Sequence, residues 1–253
     1  MSSCTSTASS PTADTEALTR VKSELQKRHT CTDLGELRRY LGLQITRDRA
    51  RRTITLTQSH MVHQVLQRFG FQFSSPQPTP LSTSHSLSAP PLDESIEPSG
   101  SYPGLVGCLM YLMMCTRPDL AYPLSLLARY VVPGRHRKVH WDAAKRVLRY
   151  LCNTSGMGLV LGGRGPVVLT GHADASWVDD SATQQSSQGY IFSLGSSGVA
   201  HTGYNPIREH EHIALHYFLT RKLQQRGQLR LAYVATRANT ADVFTKDLGS
   251  SDH

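Results

Sequence analysis

Apolar positions along the chain fall into two periods, and the points where one gives way to the other divide it into elements. In "EALTRVKSELQKRH" Leu18, Val21 and Leu25 keep helical spacing with basic residues on the other side, which predicts an opening helix. "LRRYLGLQITRDRARRTITLTQS" then alternates through Leu41, Leu43 and Ile45, and again through Ile54 and Leu56, around a charged tip. A period of two on both sides of a polar turn predicts a β-hairpin. Helical spacing returns in "HMVHQVLQRFG" at Val62, Val65, Leu66 and Phe69, and Gly70 stands where a C-terminal cap belongs.

From 74 to 100 Ser and Pro dominate, a composition that buries too little apolar surface to offset chain entropy, so a linker is expected there. Three helical patterns follow over 101–156, broken near Pro118 and at Pro133 and Gly134, which predicts a helical bundle. Pro123 lies inside the middle pattern and predicts a kink. Cys108 and Cys115 share one apolar face and read as core. The last helix places Trp141, Ala144, Leu148 and Leu151 on one stripe and Lys138, Lys145 and Arg149 on another, with Arg135 and Arg137 just before it. That basic ridge suits a phosphate backbone, and it suits a solvated helix face equally well; spacing alone does not separate them. Strand patterns in "GPVVLTGHADASW" and "SQGYIFSLGSSGVAH", a helical stretch "REHEHIALHYFLTRKLQQRG", a strand "LRLAYVAT" and a short helix "NTADVFTKDL" predict a second, mixed α/β domain over 166–248.

Charge adds a partner class. Lys and Arg number 27 against 19 Asp and Glu, a formal net charge of +8, which favours a polyanion such as nucleic acid. The five cysteines form no CxxC pair and their odd number precludes complete disulfide pairing, which points to a reducing intracellular compartment, cytoplasm or nucleus. The Ser- and Thr-rich start, 1–17, lacks an apolar signal core and reads as a disordered lead-in. The most apolar run, "LVGCLMYLMMC", falls short of the twenty or so residues that cross a bilayer, so no membrane partner is expected. His201, His210, His212 and His216 raise a zinc site, but with no Cys cluster and no HExxH arrangement that reading is set aside. No GxSxG elbow supports a Ser nucleophile either.

Six segments, "DLGELRRYLGLQI", "YPGLVGCLMYLMMCTRPDLAY", "HWDAAKRVLRYLCNT", "HADASWVDD", "SSQGYIF" and "ADVFTKDL", stand in an order that resembles the end of the Pol polyprotein of copia-type LTR retrotransposons. The resemblance covers the chain from about Thr19 to Leu248. It implies the C-terminal part of a reverse transcriptase over 18–73, a thumb- or connection-like bundle over 101–156, and a truncated RNase H-like domain, an α+β architecture overall. It also implies a primer-grip-like hairpin around Tyr40, Leu41 and Gly42, and a bundle that tracks an RNA/DNA hybrid or duplex, for which the ridge read from spacing supplies Arg135, Arg137, Lys138, Lys145 and Arg149 as candidates. The paired polymerase aspartates of the family lie upstream of the matched region, and Asp179 and Asp180, which follow "ASW", are not that pair.

An RNase H gathers several carboxylates on divalent metal, because two ions must hold the attacking water and the leaving oxygen together, and Mg²⁺ prefers such hard oxygen ligands. In the family the acids come from the first strand, the first helix, a later central strand and the last helix. Asp174 matches the first and Asp242 the last; the two between them have no counterpart, because the sequence passes from Val199 to Asn205 where the family carries that segment. Two carboxylates hold a catalytic Mg²⁺ pair poorly, so the expectation is a remnant with negligible nuclease turnover. The alternative is an active enzyme in which Asp180 or Glu209 substitutes. Loss of the intervening strand also leads us to expect "LRLAYVAT" to pair in parallel with "VVLTGHADA".

Overall fold

The computed structural model describes residues 15–82, 87, 102–132, 135–180, 185–194, 197–199 and 222–246. The architecture is mixed α+β: a four-stranded antiparallel sheet, a bundle of helices, and a second antiparallel sheet of three strands.

Helix α1 (Thr15–Arg28) forms as its spacing predicts, yet its apolar Val21 and Leu25 are 57% and 37% exposed and face solvent. Lys22 holds the helix to the following loop through Asp33 at 2.8 Å. Strands β1 (Arg39–Tyr40) and β2 (Leu43–Asp48) reverse through Leu41 and Gly42, both in the left-handed region at φ 48° and 76°. Gly42 adopts that conformation without penalty, whereas Leu41 does so at a cost. The strained turn is braced by Tyr111, whose hydroxyl donates to the Leu41 carbonyl at 2.6 Å. Strand β3 (Thr53–Thr57) pairs with β2 in the predicted hairpin, Ile45 opposite Leu56. Its other edge is taken by β4 (Gly158–Gly162), a strand that follows the helical bundle in sequence, with Leu56 opposite Leu159. The hairpin and the bundle are thereby closed into one unit.

Helix α2 (Ser59–Arg68) buries Val62, Val65 and Leu66, and Gly70 at φ 74° ends it, with the Phe71 amide donating to the Leu66 carbonyl at 2.7 Å. Helix α3 (Tyr102–Cys115) is apolar all round and buries Tyr102, Leu105, Val106, Leu109 and Leu112, an i, i+3, i+4 stripe. A 3-10 turn (Pro118–Leu120) leads into α4 (Ala121–Ala128), and α5 (Lys138–Asn153) completes the bundle. Pro123 does not lie inside a long helix as its pattern suggested. It occupies the first turn of α4, where an amide has no intrahelical acceptor to lose, so it stands where proline is tolerated. The segment from 74 also differs from expectation. Its described residues are packed: Leu81 and Leu87 are buried in the bundle core, the Gln77 amide donates to the Arg149 carbonyl at 3.4 Å, and the Tyr130 hydroxyl donates to the Leu87 carbonyl at 2.8 Å. Two leucines spaced among Ser and Pro suffice to dock this strap, a signal too sparse for composition to register.

A buried charge joins α3, α4 and α5. Arg117 is 1% exposed, grips Asp119 at 2.6 Å, and donates to the Thr154 carbonyl and hydroxyl at 2.9 and 2.8 Å. Tyr150 donates to the same Asp119 oxygen at 2.9 Å, and its ring lies 5.3 Å beneath the guanidinium. A guanidinium taken out of water is tolerable only when its donors are matched, and here Nε, Nη1 and Nη2 all have partners. At the other end of the bundle, beside the starts of α3 and α5, His136 stacks on Tyr102 at 4.7 Å and His140 on Tyr130 at 3.7 Å. His140 Nδ1 accepts from the Arg137 amide at 2.9 Å and so caps α5.

Strand β5 (Leu169–Asp180) pairs antiparallel with β6 (Gln185–Leu194), which pairs with β7 (Ser197–Val199). The expected parallel strand is absent from this sheet: residues 229–235 carry no strand assignment, and Leu231 and Tyr233 are 54% and 91% exposed. Contact with β5 comes from the next segment instead, a 3-10 turn (Thr240–Phe244). The lead-in before residue 15, the latter part of the Ser- and Pro-rich segment and most of the helical stretch before residue 222 lie outside the described residues.

Two predictions follow from this packing. Arg117→Ala strands the Asp119 carboxylate in the core and is expected to cost about 3–5 kcal/mol, read as a fall in the denaturant midpoint at unchanged slope. Burial pushes the His140 imidazole down to about 4 from the ordinary 6.5. Its folded value is the lower one, so below about 6.5 the unfolded chain takes up a proton that the folded chain refuses. Stability then falls as pH drops toward 4, by on the order of 3 kcal/mol. His140→Asn is expected to flatten that part of the pH–stability curve in thermal denaturation.

Candidate functional site

The face of the β5–β6 hairpin that meets the C-terminal turn is shaped by one missing side chain. Asp174 on β5 stands opposite Gly189 on β6. A Cβ at Gly189 would lie 2.6 Å from the Phe244 Cβ, and 3.1 Å from both the Ala241 carbonyl and the Thr245 methyl. Glycine therefore allows the Thr240–Phe244 turn to sit directly on the strand, beside the carboxylate across the ladder. The turn is fixed from several sides. Asn239 accepts from the Ala241 amide and donates to the Ala173 carbonyl, both at 3.2 Å, and His172 Nδ1 meets the Thr240 hydroxyl at 2.5 Å. Ala241 and Phe244 pack on Ala121 of α4 in a small core of their own.

That seating brings together Asp174 and Asp242, which are 68 residues apart in sequence. Asp242 is buried to 3% exposure and its Oδ1 has no hydrogen-bond partner among the described residues. Between the two acids lies Lys246, one helical turn beyond Asp242. Its ammonium reaches Asp242 Oδ2 at 3.0 Å and Asp174 Oδ2 at 3.2 Å. Thr245 donates its hydroxyl to that same Asp174 oxygen. Burial alone would draw the Lys246 ammonium down, but its hydrogen bonds to Asp242 and Asp174 outweigh this and hold it above the ordinary lysine value, so the cation persists through neutral pH.

The residues do not fit a magnesium pair. One oxygen of each carboxylate is engaged by an ammonium, the cluster carries a net charge of about −1, and no group of three His, Cys, Asp or Glu able to hold a metal occurs among the described residues. The Asp180 side chain, Glu209 and the histidines at 201, 210, 212 and 216 lie outside the described residues. Lys246 escaped the sequence reading, although its i, i+4 relation to Asp242 was visible as an ion-pair spacing.

The nucleic-acid candidates occupy two other places. Gly42 lies in the turn braced on α3, and Tyr40, 45% exposed, leads into it. Along α5 the basic ridge forms, but Lys138 and Lys145 both bind Asp142, at 2.6 and 3.1 Å, and Lys145 lies 5.6 Å over the Trp141 ring. Asp142, one turn from each lysine, was the residue missed; the two ammonium groups hold its carboxyl below the ordinary range against the opposing effect of burial. Arg135 and Arg149 are exposed, and Arg146 and Arg149 border a cleft of about 230 Å³ that Gln77, Leu81 and Ser82 help to line.

Similarity to known proteins covers most of the chain. It is 35% identical over 193 residues to the retrovirus-related Pol polyprotein from transposon TNT 1-94 of Nicotiana tabacum, covering 74% of this chain and 14% of that polyprotein. It is 27% identical over 294 aligned residues to the Pol polyprotein from transposon RE2 of Arabidopsis thaliana, covering 93% of this chain and 20% of the relative. The chain belongs with the copia-type retrotransposon Pol polyproteins. It spans less than a quarter of the length of these two relatives. A shorter similarity, 40% over 99 residues, links 39% of the chain to the secreted RxLR effector protein 161 of Plasmopara viticola, and covers 68% of that protein. No family model matches the chain, and no solved structure matches it. This copia-type Pol segment has no helix long and apolar enough to cross a membrane among its described residues.

Gly189→Ala in this segment forces the turn off the strand. The expected effect is about 1–3 kcal/mol of destabilisation, with faster amide exchange at 240–246 than in the α3–α5 bundle, measured by hydrogen exchange.

Proposed function

We propose that the chain is a nuclease-silent part of a copia-type Pol polyprotein whose remaining capacity is to bind a nucleic-acid duplex inside the cell. In this reading 18–73 is the end of the reverse transcriptase, 101–156 a thumb- or connection-like bundle, and 166–248 a truncated RNase H-like domain. The observation that carries the silence is the bridging of Asp174 and Asp242 by Lys246 in place of further carboxylates. Among the described residues no further acid joins the pair, and two carboxylates bridged by an ammonium do not bind the attacking water and the leaving oxygen together. Duplex binding is supported by the net charge of +8, by exposed Arg135 and Arg149 on the α5 side, and by the left-handed turn at Leu41 and Gly42, which presents Tyr40.

Two measurements test this. A labelled RNA/DNA hybrid incubated with the full chain and Mg²⁺ or Mn²⁺ is expected to stay intact; cleavage that disappears in Asp174→Asn would establish an active RNase H with substitute ligands. Filter binding to a duplex across a salt series is expected to give a log–log slope of roughly −0.9 per phosphate contacted, and an Arg135→Ala/Arg149→Ala variant a shallower one. A flat salt response contradicts duplex binding.

A further inference from the structure

We infer that Lys246 is a built-in counter-ion: its ammonium occupies the place between Asp174 and Asp242 that a divalent cation would need, so the two acids form a cation site held shut by their own chain. The inference rests on the reading of these two residues as the remaining acids of a cation site, and it adds what keeps that site closed.

Three observations carry it. The first is identity of the oxygens, since the ammonium takes Oδ2 of both carboxylates and an ion bridging the pair would compete for the same lone pairs. The second is the acceptor left over: Asp242 Oδ1 is buried and has no hydrogen-bond partner among the described residues, so the lysine does not satisfy that carboxylate in full. The third is enclosure. Gly189 brings the turn onto the hairpin, and Asp174 and Asp242 side chains are only 17% and 4% exposed, which limits their contact with bulk water and favours a counter-ion for their charged forms. A divalent ion cannot join the ammonium, because two cations within about 4 Å repel strongly at the effective dielectric of such a site. The ligand class admitted once the lysine charge is gone is a hard, oxygen-seeking divalent ion, Mg²⁺ or Mn²⁺.

The test uses the full chain with Mn²⁺ alone and no nucleic acid, so that it succeeds or fails independently of the cleavage assay. Free Mn²⁺ is followed by electron paramagnetic resonance, and thermal midpoints are recorded in parallel. The wild-type chain is expected to show no saturable binding and no Mn²⁺-dependent midpoint shift. Lys246→Met, which keeps the length and removes the charge, is expected to bind one Mn²⁺ with an affinity gain of about tenfold or more, raising its midpoint with Mn²⁺ concentration. Lys246→Met/Asp174→Asn should lose that gain, and Lys246→Arg should behave as wild type. If Lys246→Met is unfolded without metal, Mn²⁺ is expected to restore a cooperative transition. Stoichiometric Mn²⁺ binding by the wild type that Asp174→Asn abolishes, or a Lys246→Met chain that gains neither binding nor metal-dependent folding, would overturn the inference.

Discussion

Two carboxylates drawn out of water onto one another require a positive charge between them, and in this chain the charge comes from a lysine. That constraint organises the C-terminal half. Asp174 is carried on a strand and Asp242 on a 3-10 turn of five residues. The ammonium of Lys246 ties them at 3.2 and 3.0 Å, the glycine across the ladder from Asp174 gives the turn room to approach, and Ala241 and Phe244 add a small apolar contact with α4. The corner that resembles the edge of a metal centre is therefore held together as an ion triad.

The N-terminal half solves the same problem with a different cation. Arg117 sits among the ends of α3, α4 and α5 with its donors spent on Asp119 and Thr154. Its partner Asp119 also receives Tyr150 from α5, so the helix break between α3 and α4 is locked to the last helix of the bundle. With α5 held in place, β4 follows it back to the edge of the hairpin and closes the four-stranded sheet. The basic residues on α5 thus rest on a rigid support, although Asp142 neutralises part of the charge that they present.

Local elements were legible in the sequence, and long-range ones were not. Periodicity found α2 with its glycine cap, the three helices of the bundle with the break near Pro118, and the hairpin of alternating apolar residues, because each depends on neighbours within a turn or two. It missed β4, whose short "GLVLG" acquires meaning only beside β3, about a hundred residues earlier. It assigned a kink to Pro123 that the helix start at Ala121 removes, and a linker to a strap whose Leu81 and Leu87 pack in the core. The expected pairing of 229–235 with β5 followed from the resemblance to copia-type Pol; here that stretch lies unpaired, and the contact passes to the following turn. At the candidate site, the resemblance singled out Asp174 and Asp242, and the structure places them side by side. Lys246 and Gly189 stand inside the segments "ADVFTKDL" and "SSQGYIF" that carry the resemblance, but neither has a role until the fold sets the turn against the strand.

The central claim is that the position between Asp174 and Asp242 belongs to the Lys246 ammonium. A crystal structure of the full chain grown in Mn²⁺, with anomalous data collected at the manganese edge, tests it most directly. The account predicts no anomalous peak within coordination distance of the two carboxylates, and density for the lysine reaching both Oδ2 atoms. A manganese peak bridging Asp174 and Asp242, with Lys246 displaced, would contradict it.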